Sequence, residues 1–302
     1  MSDLKEKIKK LKKEKNAVIL AHYYTDDEIQ EVADYVGDSY YLAKIAAQTD
    51  AEVIVFCGVF FMGESAKILS PEKTVIMPDI NADCPMARMI TPQKIINMRK
   101  MHDDLAVVCY INSTADVKAC CDVCVTSSNA LRIVKNLKEK NIYFVPDENL
   151  GRYIAKQIPE KHFIYNNGYC PTHKKITAKI IDNAKSEHPS AKVLMHPECT
   201  PDALERADYI GSTSGIIEYA TKSSDKEFII CTELGVMYEL KKKNPDKIFY
   251  PASENAICPN MKLITLQKLA SSLENINEGI KLEEKTMEEA RRPLNKMLEL
   301  AK

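Results

Sequence analysis

Short apolar runs rich in Val, Ile and Leu recur along the chain, separated by stretches in which apolar residues fall at helical spacing. Near the N-terminus "NAVILAHYY" (from Asn16), "AEVIVFC" (from Ala51) and "KTVIMPD" (from Lys73) carry continuous apolar segments without polar alternation, as strands buried on both faces of a parallel sheet do. Between them lie "DDEIQEVADYV", "SYYLAKIAAQT" and "GESAKIL", which read as helices. The same order returns with "DLAVVCYINS", "NIYFVPD" and "KHFIYNN", and again with "AKVLMHPEC", "KEFIICT" and "DKIFYPA". Strands alternating with helices predict βαβ units joined by right-handed crossovers, hence parallel sheets. The lysine-rich opening "MSDLKEKIKKLKKEK" reads as a solvated surface helix, and "LEEKTMEEARRPLNKMLELAK" as a terminal helix lying across a junction between units.

A motif makes the recurrence explicit. The pattern C-P-x-x-x-x-I-T occurs at Cys84 ("CPMARMIT"), Cys170 ("CPTHKKIT") and Cys258 ("CPNMKLIT"), at intervals of 86 and 88 residues. Three further series keep step at 88 and 86: His22, Tyr110 and His196; Asp34, Asp122 and Asp208; Cys57, Val145 and Cys231. The chain is therefore expected to be one unit used three times. Residues 1–102 form the first with the N-terminal helix, 103–190 the second, and 191–302 the third with the C-terminal helix. The predicted fold is α/β: three homologous three-layer αβα domains with short parallel sheets of about four strands, arranged about a pseudo-threefold axis.

In open parallel sheets ligands bind beyond the carboxyl ends of the strands. The residues there are chemical ones: His22, Tyr23 and Tyr24; Tyr110 and Asn112; His196 and Glu198. If these ends face a common centre, Cys84, Cys170 and Cys258 converge as well. Structural zinc takes four ligands, with cysteines paired as C-x(2–4)-C, whereas these three are singletons a whole unit apart. Three thiolates can hold a 4Fe–4S cluster and leave one iron open as a Lewis acid. An electron carrier or redox sensor would be served by a fourth cysteine in register, and a radical enzyme using S-adenosylmethionine by C-x3-C-x2-C; the sequence has neither. Another 4Fe–4S hydro-lyase, acting on a small dicarboxylate through the same open iron, remains the alternative enzyme. Ser39, Ser127 and Thr213, at helix starts in matching positions, suit an anion, and His196 with Glu198 supplies a base and its neighbour.

Composition narrows the setting. Net charge is −1, so bulk electrostatics attracts neither nucleic acid nor an anionic membrane, and the longest apolar run, "VIVFCGVFFMG", is short for a span. Ten cysteines without a signal-peptide pattern at the start favour metal or redox chemistry in a reducing cytoplasm over disulfides. Cys57, Cys109 and Cys231 read as core residues, "CCDVC" (Cys120, Cys121, Cys124) as incidental or regulatory, and Cys199 as a residue lining the site. His102, His162 and His188 have no repeat partner and read as surface residues.

Together "AHYY", "GDS", "YINS", "HPEC", "GSTSG" and the three lone cysteines resemble quinolinate synthase, the A protein of de novo NAD biosynthesis, over roughly residues 16–275. The resemblance implies three α/β domains around a 4Fe–4S cluster held by Cys84, Cys170 and Cys258. It also implies condensation of iminoaspartate (iminosuccinate) with dihydroxyacetone phosphate to quinolinate, with phosphate and two waters lost. The partners implied are these small molecules and an enzyme supplying iminoaspartate. The dicarboxylate-binding positions fall on His22, Ser39, Tyr110, Asn112, Ser127, His196, Glu198 and Thr213. Tyr24 and His173 match positions at the triose-phosphate end or in proton transfer. The catalytic set expected is Tyr24, Glu198, His22, His196 and Tyr110.

Overall fold

A computed structural model describes residues 2–276 and 279–301. Met1, Lys302, Asn277 and Glu278, which the unit boundaries above include, lie outside the described residues. Among the described residues the apolar runs form twelve strands in three four-stranded sheets, all parallel. The first sheet has β1 (Ala17–His22), β2 (Tyr35–Gly37), β3 (Val53–Cys57) and β4 (Thr74–Ile76) in the order β2-β1-β3-β4. The second, β5 (Leu105–Tyr110), β6 (Val123–Val125), β7 (Asn141–Val145) and β8 (His162–Tyr165), repeats that order as β6-β5-β7-β8. The third, β9 (Lys192–Met195), β10 (Tyr209–Ile210), β11 (Glu227–Cys231) and β12 (Ile248–Pro251), repeats it as β10-β9-β11-β12. Register repeats too: Ala21 pairs with Cys57, Cys109 with Val145, and Met195 with Cys231. Cys57, Cys109 and Cys231 are fully buried on these central strands, as core residues should be.

The in-step aspartates have a structural task. Asp34 Oδ2 accepts the N–H of Ile19 (2.8 Å), Asp122 Oδ2 that of Val107 (2.7 Å) and Asp208 Oδ2 that of Val193 (2.8 Å). Each returns its own N–H to the carbonyl of the same strand residue, at 2.9, 3.0 and 2.9 Å. The second strand of each sheet begins only after this aspartate, so the carboxylate satisfies a strand donor that no ladder bond reaches. Lys12, Arg99 and Lys192 neutralise the three carboxylates.

The recurring C-P-x-x-x-x-I-T also resolves into physics. Cys84 and Cys170 precede one-turn helices, Pro85–Arg88 and Pro171–Lys174, whose proline stands where a missing N–H costs nothing. The motif's threonine caps the next helix: Thr91, Thr177 and Thr265 accept the N–H of Lys94 (3.4 Å), Ile180 (3.4 Å) and Lys268 (3.3 Å). The isoleucine before each cap, Ile90, Ile176 or Ile264, is buried and anchors the entry of that helix. The motif is thus a hinge between two helices with a thiol at its head.

The terminal helices are more than decoration. Glu284–Leu300 packs against the helices Ala115–Ala119 and Phe60–Leu69, burying Ala290, Leu294 and Met297 across the first and second repeats, as expected of a junction helix. The Lys-rich helix Ser2–Glu14 departs from a fully solvated reading. Its Ile8 is completely buried, and it packs on the helix Leu266–Glu274, with Lys7 bonded to Glu274 at 2.6 Å. Leucine and isoleucine at helical spacing supply that apolar stripe, which the abundance of lysine conceals. Among the described residues no helix is long and apolar enough to cross a membrane.

The Asp208 bond yields a stability prediction. Burial alone would raise its carboxyl, but the Val193 amide and Lys192 outweigh that and hold it below the usual carboxylate range. A depressed folded value means the contribution is complete above the unfolded value of about 4 and is lost as pH falls through the lower folded value. Asp208→Ala should cost about 1–3 kcal/mol at neutral pH by urea unfolding, with the difference from the parent shrinking near pH 3.

Candidate active site

One cavity gathers residues from the carboxyl ends of all three sheets. His22 ends β1, Tyr110 ends β5, and His196 follows β9, and each is buried. The expected ligand, substrate-binding and catalytic residues line this cavity: His22, Tyr24, Ser39, Cys84, Tyr110, Asn112, Ser127, Cys170, His173, His196, Glu198, Thr213 and Cys258.

Two histidines are set by the same local device. The N–H of Tyr24 donates to Nδ1 of His22 (3.2 Å), and the N–H of Glu198 donates to Nδ1 of His196 (3.3 Å). An occupied Nδ1 lone pair puts the ring proton on Nε2. Burial lowers both rings to about 3, against the opposing charge of Glu198, so they are neutral at physiological pH. Each then offers Nε2–H as a hydrogen-bond donor; that of His196 lies 3.3 Å from Ser127 Oγ. His196 is accordingly shaped to donate rather than to act as the base.

Glu198 is the buried anion. His173 Nδ1 stands 2.7 Å from its Oε2, and Tyr110 donates to Oε1 at 2.6 Å. Burial alone would raise this carboxyl, but the fields of His173 and His196 and the bonds from His173 and Tyr110 prevail and hold it below the usual range. The tyrosines move the other way. Burial, then the charge of Glu198, keeps the Tyr24 and Tyr110 phenols well above their ordinary value, hence protonated donors.

Hydrogen bonds join these groups into a chain. Tyr24 OH lies 2.8 Å from Thr213 Oγ1 and 2.8 Å from Thr232 Oγ1. Thr232 Oγ1 lies 2.9 Å from His173 Nε2, and His173 reaches Glu198. All bonds are satisfied if Tyr24 donates to Thr232, Thr232 to His173 Nε2, and His173 Nδ1–H to Glu198. Protons can therefore pass from the first repeat to the third without entering water.

The helix-start hydroxyls prove different from caps. Asp38 and Ser212 do the capping, accepting from Tyr41 (3.0 Å) and Gly215 (3.1 Å), so Ser39 and Thr213 stand at the first helical position. Ser127 lies outside the short helix Ala130–Lys135 altogether. Asn112 lies just past β5, and its Oδ1 is buried with no partner. An orphaned acceptor in a cavity costs free energy that a bound donor would recover.

The three thiols fit a metal cluster by their donor chemistry. Burial pushes the Cys84 thiol up to about 12 and Cys170 and Cys258 also upward, and mutual fields (Cys258 on Cys84, Cys84 on Cys170) oppose ionisation further. Backbone N–H groups of Met86 and Ala87, of His173, and of Asn260 and Met261 favour the respective thiolates. Sulfurs so prepared become anions only when a cation compensates them, as iron–sulfur ligands are. Cys170, His173 and Glu198 also present ligand atoms within 4.8 Å of one another, a set that could hold a single metal ion.

The comparisons with known proteins bear on this cavity directly. The family model described as Quinolinate synthetase A protein matches residues 6–299. The chain belongs to that family. Proteins named quinolinate synthase from Caldicellulosiruptor bescii and Clostridioides difficile are each 54% identical to it, over 98% of both chains and over 99% and 98% respectively. The Aquifex aeolicus protein of that name is 49% identical over 100% of this chain and 95% of its own. Quinolinate synthetase A proteins are enzymes, and the converging site agrees with that.

Sequence reasoning missed Thr232 and Glu233, which follow β11 directly; the strand-end rule applied to "EFIICTE" would have found both. Cys199 is a correction: it is buried in the third repeat's core against the Cys231 carbonyl (3.7 Å), not among the lining residues. Its side chain turns inward while the Glu198 side chain enters the cavity. Cys109 and Cys124 pair in register on β5 and β6, and Cys121 donates to the Val117 carbonyl (3.1 Å); these three are buried in the core, and Cys120 is half-buried at a helix end. His162 is exposed, and half-buried His188 stacks on Tyr250 at 3.5 Å between ring centroids; neither these nor half-buried His102 line the cavity.

The bond from Tyr110 can be weighed. Tyr110→Phe removes one bond that favours the ionised carboxylate, so the Glu198 pKa should rise by about one unit, or ~1.4 kcal/mol. Carbon-13 NMR titration of the labelled carboxyl measures it.

Proposed function

We propose that this protein condenses iminoaspartate with dihydroxyacetone phosphate to quinolinate, releasing one phosphate and two waters, and that Cys84, Cys170 and Cys258 hold a 4Fe–4S cluster in the cavity. The observation that carries the reading is the meeting of three repeat-related cysteines with one buried anion and two neutral histidine donors. When bound, such a cluster with an open iron would supply a Lewis acid able to polarise a departing hydroxyl.

The chain's own residues have tasks of their own. The hydroxyls of Ser39, Ser127 and Thr213, the Asn112 amide and the Nε2–H groups of His22 and His196 bind the two carboxylates of the imine substrate. Glu198 takes protons from carbon, and Tyr110 and His173 stabilise its charge between transfers. Tyr24 stands at the far end of the hydrogen-bond chain and delivers or receives the proton there, next to the triose phosphate. The tight walls exclude water from a reactive imine. The cytoplasm is the proposed location, beside an enzyme that supplies iminoaspartate. Segments 1–102, 103–190 and 191–302 are the proposed domains.

The Cys170, His173 and Glu198 grouping favours one rival, a single-metal hydro-lyase. His173 Nδ1 is already engaged by Glu198, which argues for the hydrogen bond over the metal.

Anaerobic preparations should contain about four iron and four sulfide per chain; one metal ion without sulfide would favour the rival. Alanine at Cys84, Cys170 or Cys258 should abolish the cluster, whereas alanine at Cys57 or Cys231 should leave it in place. In single-turnover assays with iminoaspartate generated in place, Glu198→Gln should keep its cluster and lose about 10²-fold or more in rate. Absence of quinolinate formation by the cluster-replete parent would refute the reading. Ser127→Ala or Thr213→Ala should weaken dicarboxylate binding by roughly ten- to a hundredfold in calorimetry, the scale of a bond to a charged group.

A further inference from the structure

Carboxylates outside the chemistry above stand at the backbone amides of two of the three cysteines, Cys84 and Cys258. Glu233 is completely buried, yet both its oxygens are engaged by backbone: Oε1 accepts the N–H of Cys258 (3.0 Å) and Oε2 that of Gly235 (2.6 Å). Gly235 is pressed against the first repeat, where a Cβ would come within 2.6 Å of the Tyr23 carbonyl oxygen. Lys262, four residues after Cys258, lies 3.4 Å from Glu233 Oε1 and donates to the Tyr24 carbonyl at 2.9 Å. In the first repeat Asp83 Oδ1 accepts the N–H of Cys84 at 2.9 Å, while its Oδ2 receives Arg88 Nε at 2.8 Å. In the second, the fully buried Asp147 occupies the place of Glu233, 86 positions earlier. Its Oδ1 accepts from Leu150 (2.6 Å) and its Oδ2 is buried without a partner; burial, then the charge of Glu198, holds its carboxyl well above the usual range against the nearby N–H groups.

The local backbone explains what such bonds can do. Each cysteine precedes a proline, which confines it to extended backbone; Cys84 and Cys170 have ψ of 114° and 117°. A carboxylate on the amide holds the other side of the same residue. With both flanks fixed, only the side-chain rotamer of the thiol remains free.

We propose that Asp83 and Glu233 are positioning residues of the cluster site, each holding one cysteine by its backbone amide so that its sulfur keeps a fixed aim toward the other two. This rests on the reading of those cysteines as cluster ligands. The carboxylates act through the cysteines. Repeat three does so with the acid after its third strand, whereas repeat one has Val59 at that position and uses the residue beside its cysteine instead; repeat two places Asp147 at the position of Glu233.

Iron release tests this without reference to turnover. Protein loaded anaerobically is mixed with a strong iron chelator, loss of the cluster absorbance is timed, and the electron paramagnetic resonance spectrum of the reduced cluster is recorded. Supporting bonds around metal ligands are typically worth 10–100-fold in affinity. Glu233→Ala and Asp83→Ala should therefore release iron at least about tenfold faster than the parent, with a shifted spectrum. Glu233→Gln retains an acceptor for the Cys258 amide and should stay within about threefold. Parental release rates in both alanine variants overturn the proposal, as does a Gln variant as fast as Ala. If Glu233→Ala does not fold, Asp83→Ala, at the surface, decides by the same criterion. A parent that takes up no iron at all defeats the cysteine reading itself, and this proposal with it.

Discussion

A carboxylate kept ionised inside protein is the constraint on which the arrangement turns. Glu198 is 3% exposed, and a buried anion without partners would simply neutralise. Its oxygens are met instead by Tyr110 and His173 from the second repeat, while its own strand end belongs to the third. Removing either partner leaves a charge in low dielectric, so the relative placement of the two repeats is specified by this one group. Thr232 extends the requirement to Tyr24, and through it to the first repeat. The cavity is consistent only when all three parts are in register.

Repetition supplies the scaffold, and divergence at equivalent positions supplies the chemistry. The Asp34, Asp122 and Asp208 bonds and the threonine caps are the same in each repeat because they satisfy backbone, whose needs do not vary. At the first strand's end the residues differ: His22 and His196 become neutral donors through an i+2 amide, while Tyr110 faces Glu198. Identical side chains at those three points could not have given the anion a phenol donor and the cavity two neutral imidazole donors. The strands fix where a side chain begins, and the residue type decides what it does there.

That division explains what could be read from the sequence. Periodicity revealed strands and helices, and four series in step revealed the repeat, because both are properties of backbone and burial. The sheet-end rule then found His22, Tyr110, His196 and Glu198 without knowledge of any contact. It was applied to the first strand of each repeat and not to the third, so Thr232 and Glu233 went unread although they follow Cys231 directly. Contacts between repeats, such as Tyr24 with Thr232 some 208 residues away, depend on docking that no local pattern encodes. Cys199 illustrates the same limit at short range. Adjacency to Glu198 in sequence says nothing about direction, and here one side chain enters the cavity while its neighbour enters the core.

The thiols and the carboxylate also constrain one another. Fields from Glu198 help to keep Cys84 and Cys170 protonated. A bound cluster would supply the positive charge that three thiolates need, while those thiolates would themselves add negative charge near Glu198. A base that is too weak does not abstract protons well, and one that is too strong does not release them. The neutral histidines follow from the same economy of charge, because two imidazolium ions at His22 and His196 would have lowered Glu198 further still. Keeping these rings as uncharged donors, by burial and by one backbone amide each, suits the proposed binding of carboxylates beside Glu198 as the proposed base.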